Sequence, residues 1–143
     1  MKPTNSIVAL LFLVSISALL FGCQRSEQHN GTQSQSGSTV QIISISPGIG
    51  EPLRAGEKVK LKVDVNYALS EESGTLALVV QAADNSSIAQ NFEVVTKGSG
   101  KVALEAEFIV PNTKAIQIFT PLSGQGQNST STVDSRAFKV VSN

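Results

Sequence analysis

The chain has 143 residues, with 11 basic and 11 acidic side chains, and its formal net charge at neutral pH is zero. It contains one cysteine, one histidine and no tryptophan. A balanced charge lacks the basic surface of a nucleic-acid-binding protein, so no nucleic-acid partner is expected. A single cysteine also excludes an intramolecular disulfide framework, which needs an even number.

The first 23 residues have the features of a secretory signal peptide. Lys2 precedes an apolar run over 7–21, IVALLFLVSISALLF, and Gly22 and Cys23 follow it. A short basic start, an apolar run and a small residue before the break are typical of a cleaved signal. The run is shorter than the ~20 apolar residues that cross a bilayer as a helix. Cleavage after Gly22 removes Lys2 and leaves a mature chain with a net charge of −1.

Leu20, Phe21, Gly22 and Cys23 resemble the lipobox of bacterial lipoproteins, which has an aliphatic residue at −3, a small residue at −1 and a cysteine at +1. The resemblance implies that Leu20, Gly22 and Cys23 form the signal-peptidase site and that the Cys23 thiol carries a diacylglyceryl group. The alternative is a free cysteine at the end of an apolar segment. Each buried CH₂ contributes ~0.8 kcal/mol, so two or three acyl chains anchor a protein firmly. The expected location is therefore the cell envelope, with the membrane as a partner through the N-terminal lipid.

Residues 24–39, QRSEQHNGTQSQSGST, predict a flexible tether that follows Cys23. They contain no large apolar side chain, and such a segment cannot offset its ordering entropy by burial. A flexible chain of this length reaches ~20–25 Å. In envelopes with two membranes, an Asp directly after the lipidated cysteine resembles an inner-membrane retention signal. Residue 24 is Gln, so the outer membrane is favoured. His29 has no second His or Cys nearby to complete a metal site, so its side chain is expected to be solvated. No metal or cofactor is expected.

Residues 40–143 predict an all-β domain. Alternation with period two is strongest in KVKLKVDVNY, 58–67, where Val59, Leu61 and Val63 alternate with lysines. The other predicted strands are 40–45, 75–82, 91–96, 101–110, 115–120 and 135–141. The predicted turns are 46–52, 70–74, 83–87, 97–101, 110–114 and 123–132.

Short strands with a turn every 8–12 residues are typical of a β-sandwich. The number of strands and the short links resemble an immunoglobulin-like or fibronectin type III module. The predicted organisation is a cleaved signal peptide (1–22), a lipidated cysteine with a flexible linker (23–39) and a single immunoglobulin-like antiparallel sandwich of about seven strands (40–143). The predicted core consists of Val59, Leu61, Val63, Leu76, Leu78, Val80, Leu104, Phe108, Ile116, Ile118, Phe138 and Val140.

The sandwich hypothesis predicts one strand pairing and the grouping of the links. The strand at 58–66 should pair antiparallel with 101–109, so that outward lysines at 58, 60 and 62 face Glu105 and Glu107. In an alternating strand order, the links at 68–74, 97–101 and 121–132 share the end where the chain enters. The links at 46–57, 83–87 and 110–114 share the opposite end.

No residue pattern predicts catalysis. Glu105 and Glu107 form a carboxylate pair of the kind that glycosidases use, but a solvated strand face is the preferred interpretation. Asp84-Asn85 predicts a turn, and Gly98-Ser99-Gly100 predicts a hairpin turn with no helix behind it to bind phosphate. The preferred function is a non-catalytic binding or structural module with an envelope protein or glycan as partner. The alternative is an envelope hydrolase that uses Ser and carboxylate residues, and a buried carboxylate cluster in a pocket would favour it.

Overall fold

The computed structural model describes residues 37–126, 130 and 132–142 of the chain. These residues form an all-β structure whose strands are β1 (Thr39–Ser46), β2 (Leu53–Arg54), β3 (Lys58–Ala82), β4 (Ser87–Ile109), β5 (Ala115–Gly124) and β6 (Thr132–Val141). All pairings are antiparallel except that of β2 with β6.

The strands form two layers, and β3 and β4 belong to both. The first layer consists of β1, residues 58–69 of β3 and residues 98–109 of β4. The second layer consists of residues 87–96 of β4, residues 73–82 of β3, β5 and β6, with β2 at the end of β6. β1 contacts β5 and β6 without joining their ladder, as expected for strands in facing layers. The predicted antiparallel sandwich of about seven strand segments is confirmed.

The predicted breaks at 70–74 and 97–101 are wrong. Both stretches remain in the long strands, and β3 and β4 fold over together as a two-stranded ribbon. The pairing register shifts between Leu69 and Ser73, and Gly98 opposite Leu69 has a φ of 105°. Serine and glycine in these stretches bend the ribbon without ending the pairing, because glycine adopts positive φ without strain. Gly98-Ser99-Gly100 is therefore part of a strand and not a hairpin turn.

The core lies between the two layers. All twelve predicted core residues are buried, and Leu61, Leu76, Leu78, Ile116 and Ile118 have no accessible surface. Full burial of an aliphatic side chain contributes ~1.5–3 kcal/mol. Burial of this core therefore stabilises the sandwich, whose described residues contain no disulfide.

The predicted pairing of 58–66 with 101–109 is confirmed. Lys60 lies opposite Glu107 and Lys62 lies opposite Glu105 in the register of β3 with β4. The ion pairs run diagonally across this register: Lys58 contacts Glu107, and the Lys60 Nζ lies 2.9 Å from the Glu105 Oε2. The outer face of the first layer is therefore a charged, solvated surface.

The two ends of the sandwich are arranged as predicted, although the stretches at 68–74 and 97–101 are bends within β3 and β4 and not links. Thr39 pairs with Ala68, and Gly124 pairs with Gly74, so the entering chain and the bend of the ribbon lie at one end. At the other end, the Val110 N–H donates to the Glu57 carbonyl. β1 begins at Thr39 and Ser38 is fully buried, so folded residues extend into the stretch predicted as tether.

Candidate binding face

The predicted processing and lipidation site lies outside the described residues. This applies to Leu20, Gly22 and Cys23, and also to His29 of the predicted tether. Over 37–126, 130 and 132–142, no helix has the length and apolar character needed to span a bilayer. The same part of the chain contains no group of three or more His, Cys, Asp or Glu side chains arranged to hold a metal ion.

The second layer carries an outer face with no charged side chain over four cross-strand rows. We call it the neutral face. Its rows follow from the registers of β4 with β3, β3 with β5, and β5 with β6. Its members are Gln90, Phe92, Val94, Thr75, Ala77, Val79, Gln81, Gln117, Phe119, Pro121, Ser123, Val133, Ser135 and Ala137. Lys139 is placed one row beyond it, opposite Ala115. The two layers thus present outer faces of opposite character.

Phe92 and Val94 project from one side of the neutral face, and each is 69% exposed. The sequence alternation through these residues places a strand at 91–96 correctly, but their side chains point away from the core. Val95 is the buried residue of this stretch, since it lies opposite Gly74 near the bend of the ribbon. Large apolar side chains this exposed on a strand are the kind of feature that marks an interaction surface when they adjoin further apolar surface.

The other side of the neutral face contains a shallow hollow of about 300 Å³. Val79, Phe119, Pro121 and Val133 line most of it, and each of these side chains is half-buried. The projecting side chains and the hollow therefore occupy the same surface. Sequence reasoning missed this face because its members come from four strands, and only the registers bring them together.

The carboxylate pair on β4 is not arranged for acid–base chemistry. A hydrogen bond from Lys58 and the charge of its ammonium group lower the pKa of Glu107. The hydrogen bond to Glu105 raises the pKa of Lys60. A glycosidase acid needs a carboxyl whose pKa is raised so that it holds a proton near neutral pH. Glu105 and Glu107 act as partners of two lysines on a solvated strand face, as preferred from the sequence.

One Ser–carboxylate cluster bears on the hydrolase alternative. The buried Ser38 hydroxyl lies 2.9 Å from the Glu71 Oε2 and 2.9 Å from the Ser70 Oγ. The hydrogen bonds from Ser38 and Ser70 lower the pKa of Glu71. A carboxylate of lowered pKa is a weak base for activating a serine hydroxyl. The cluster instead ties the entering chain to the bend of the ribbon.

Asp84 and Asn85 form a turn, as predicted. The Asp84 Oδ1 accepts hydrogen bonds from the Ser86 N–H at 3.0 Å and from the Ser86 hydroxyl at 2.6 Å. Asn85 has a φ of 67°, in the left-handed region that asparagine tolerates. The carboxylate is thus used within the link between β3 and β4.

Comparison with known proteins gives structural neighbours only. No protein-family model matches the sequence, and no curated protein matches it. One similar solved structure is a glycosyl hydrolase family 2 member from Bacteroides cellulosilyticus DSM 14838, with 15% identity and a TM-score of 0.49, covering 71% of this chain and 14% of that chain. A second, of a glycosyl hydrolase family 2 member from Bacteroides cellulosilyticus, has 14% identity and a TM-score of 0.49, covering 71% and 13%. This chain spans a small fraction of either neighbour, and similarity at this level carries no argument about activity.

Proposed function

We propose that this protein is a lipid-anchored component of a bacterial cell envelope whose β-sandwich is a non-catalytic binding or structural module. The lipobox resemblance of Leu20, Gly22 and Cys23 supports the anchor, and the polar segment that follows supports a tethered domain. The neutral face is the observation that carries the binding role. Its partner is an envelope protein or a glycan, and the outer membrane is the favoured site in an envelope with two membranes.

The neutral face supports binding because it combines apolar exposure with the absence of charge. Single exposed apolar residues are normal on protein surfaces. Phe92 and Val94, however, adjoin Ala77 and Thr75 on β3, and the face continues through Pro121 to Val133. A continuous surface of this kind is typical of an interaction site.

Two further observations support a role without catalysis. Of the carboxylates that the sequence singles out, Glu107 accepts a hydrogen bond from Lys58 and Asp84 accepts one from Ser86, and each bond lowers the pKa of its carboxyl group. The hollow on the neutral face is lined by Val79, Phe119, Pro121, Val133, Gln81 and Thr130, and none of these six side chains is a carboxylate, a histidine or a cysteine. This composition supports the binding of a partner.

The anchor is tested by metabolic labelling with a palmitate analogue. The wild-type chain is expected to take up the label and to fractionate with membranes, whereas Cys23→Ser is expected to lose both properties. Label that persists in Cys23→Ser would contradict the proposed lipid site.

The binding role is tested by photo-crosslinking in intact cells. A photoreactive amino acid replaces Phe92 on the neutral face, and a matched chain carries it in place of Lys60 on the charged face. Envelope proteins or glycans are expected to be captured from position 92 in preference to position 60. Capture should weaken in a Cys23→Ser background, since the chain then leaves the membrane. Equal capture from both positions would contradict a binding role for the neutral face.

A further inference from the structure

We propose that two copies of this chain pair through their neutral faces, with Phe92 of each copy seated in the hollow of the other. This inference rests on the proposed function only in taking the neutral face as an interaction surface. It deepens that function by naming the partner as a second copy of the chain.

The projecting side chain shares a cross-strand row with Pro121 and Val133, which line one side of the hollow. Phe92 on β4 is opposite Ala77 on β3, and Pro121 on β5 is opposite Val133 on β6. The β3–β5 register, with Leu76 opposite Leu122 and Val79 opposite Phe119, places Ala77 beside Pro121. Strands are spaced ~4.8 Å apart, so Phe92 stands ~10–14 Å from the Pro121–Val133 side of the hollow along a single row.

A twofold axis converts this arrangement into two equal contacts. The axis lies parallel to the strands, in the plane between the two faces, and crosses the row between Ala77 and Pro121. Rotation about it brings Phe92 of one copy over Val133, at the β6 side of the hollow of the other copy, and brings Ala77 over Pro121; the reverse contacts follow by symmetry. The hollow of about 300 Å³ has room for a phenyl ring. Both halves of the contact are already present on one surface.

Charge does not oppose this pairing. Face-to-face packing of two identical surfaces brings like groups close together, and like charges at such a contact are costly. The neutral face has no charged side chain in its four rows, whereas the outer face of the first layer presents Lys58, Lys60, Glu105 and Glu107. Arg136 borders the neutral face beside Gln117, Phe119 and Ser135, but its guanidinium is paired with Asp134. Pairing through the neutral face therefore brings fewer charges together than pairing through the outer face of the first layer.

The alternative of pairing along the edge of β4 is obstructed by one side chain. The Asn91 Nδ2 donates to the Glu105 carbonyl at 2.9 Å, and the Asn91 Oδ1 accepts from the Phe92 N–H at 2.8 Å. An added strand would have to displace Asn91 from backbone groups in both halves of β4. Edge protection of this kind is common in β-proteins, and it disfavours pairing of a second copy along β4.

The area of the face sets the expected strength. Four strands at ~4.8 Å and four rows, each spanning two residues at ~3.3 Å per residue, give roughly 500 Å² per copy. This is below the ~800 Å² per partner of a standard stable interface. The pair is therefore expected to be reversible. Anchoring both copies in one membrane would favour it, because a shared membrane raises their effective concentration.

Cysteine crosslinking between two tagged full-length chains tests the contact. One chain carries Phe92→Cys and the other carries Val133→Cys, and a short bismaleimide is applied to intact cells. A crosslinked pair bearing both tags is expected. Two chains with Lys60→Cys serve as the matched control on the charged face, and two wild-type chains, with Cys23 alone, give the background. A Phe92–Val133 yield no higher than the Lys60 control would overturn the proposal.

A charge exchange separates the contact from a general effect on folding. Phe92→Lys should reduce pairing of the detergent-solubilised chain at least tenfold in sedimentation equilibrium. Adding Val133→Glu to the same chain should restore most of it, because each introduced ammonium group then faces an introduced carboxylate of the second copy. Absence of pairing in the wild type, or no recovery in the double variant, would overturn the proposal. If position 92 captures another envelope component but no second copy, the proposed function stands and this inference fails.

Discussion

The Oδ2 of Asp134 on β6 accepts a hydrogen bond of 2.8 Å from the backbone N–H of Ile42 on β1. The two residues belong to different layers, so this bond joins the layers directly. The β1–β3 register shifts between Ile42 and Ser44. Asp134 is 6% exposed, and its Oδ1 also accepts from the Arg136 Nη1 at 2.5 Å. The buried carboxylate thus combines an ion pair with a bond to the irregular part of β1.

Removal of this carboxylate should destabilise the sandwich. Asp134→Ala leaves the Ile42 N–H without this acceptor and removes the ion pair of Arg136, whose Nη1 keeps its hydrogen bond to the Ser135 carbonyl. We expect a loss of about 1–3 kcal/mol. Asp134→Asn should cost less, because an amide oxygen still accepts from Ile42. The measurement is urea unfolding, with Glu93→Gln at an exposed position as the control. A change in Asp134→Ala no larger than that of the control would show that the bond between layers contributes nothing.

Gly100 should not tolerate a side chain. It lies opposite Tyr67, and a Cβ on Gly100 would stand 2.7 Å from the Tyr67 ring. Gly100→Ala should displace the ring from the core that it packs against, at a cost of about 1–3 kcal/mol. Gly48→Ala is the matched control, because a Cβ there meets nothing within 4 Å. Equal thermal midpoints for the two variants would contradict this prediction.

The ion pairs of the first layer should add little stability, and what they add should depend on salt. The Lys60 and Glu105 side chains are 67% and 47% exposed, so water and ions screen their attraction. A double-mutant cycle with Lys60→Ala and Glu105→Ala should give a small favourable coupling at low ionic strength. That coupling should vanish in about 1 M NaCl, where the Debye length is ~3 Å. A coupling of the same size at both salt concentrations would contradict the prediction.

Alternation in the sequence located most of the strand segments and twelve residues of the core, but it missed β2 and buried residues such as Leu69 and Val95. In residues 58–67 the apolar side chains occupy every second position, so one face can be buried only in one register. The lysines on the other face and the glutamates of 101–109 then predict which strands pair. These signals are local or come from two segments, which is why a single sequence reveals them.

The neutral face and the folded ribbon could not be predicted in the same way. Phe92 alternates like a core residue, and nothing in residues 91–96 shows which set of alternate side chains faces the core. The bend at 70–74 has the serine and glycine content of a loop, but β3 pairs with β4 on both sides of it, at Leu69 and again at Ser73. Both features depend on contacts between residues far apart in sequence, so they required the registers of the complete sheet.

Acid should destabilise the wild-type protein partly through Glu71. Its unperturbed pKa is 4.5, and the hydrogen bonds from Ser38 and Ser70 lower this pKa in the folded protein. The stabilisation is therefore present above about pH 4.5 and is lost as the pH falls through the lower pKa of the folded state. Unfolding curves at pH 7 and pH 3 should show a smaller loss for Glu71→Gln than for the wild type. Other carboxylates of lowered pKa, such as Asp64 and Asp84, remain in both proteins, so the difference isolates Glu71.

A second variant identifies the cause of this pH dependence. Ser38→Ala removes the largest contribution to the lowered pKa of Glu71, so carboxylate titration followed by NMR should show the pKa of Glu71 moving upward. The acid loss of the Ser38→Ala protein should approach that of Glu71→Gln, while Glu93→Gln should behave as the wild type. An unchanged pKa of Glu71 in Ser38→Ala would show that the buried serine does not stabilise the carboxylate.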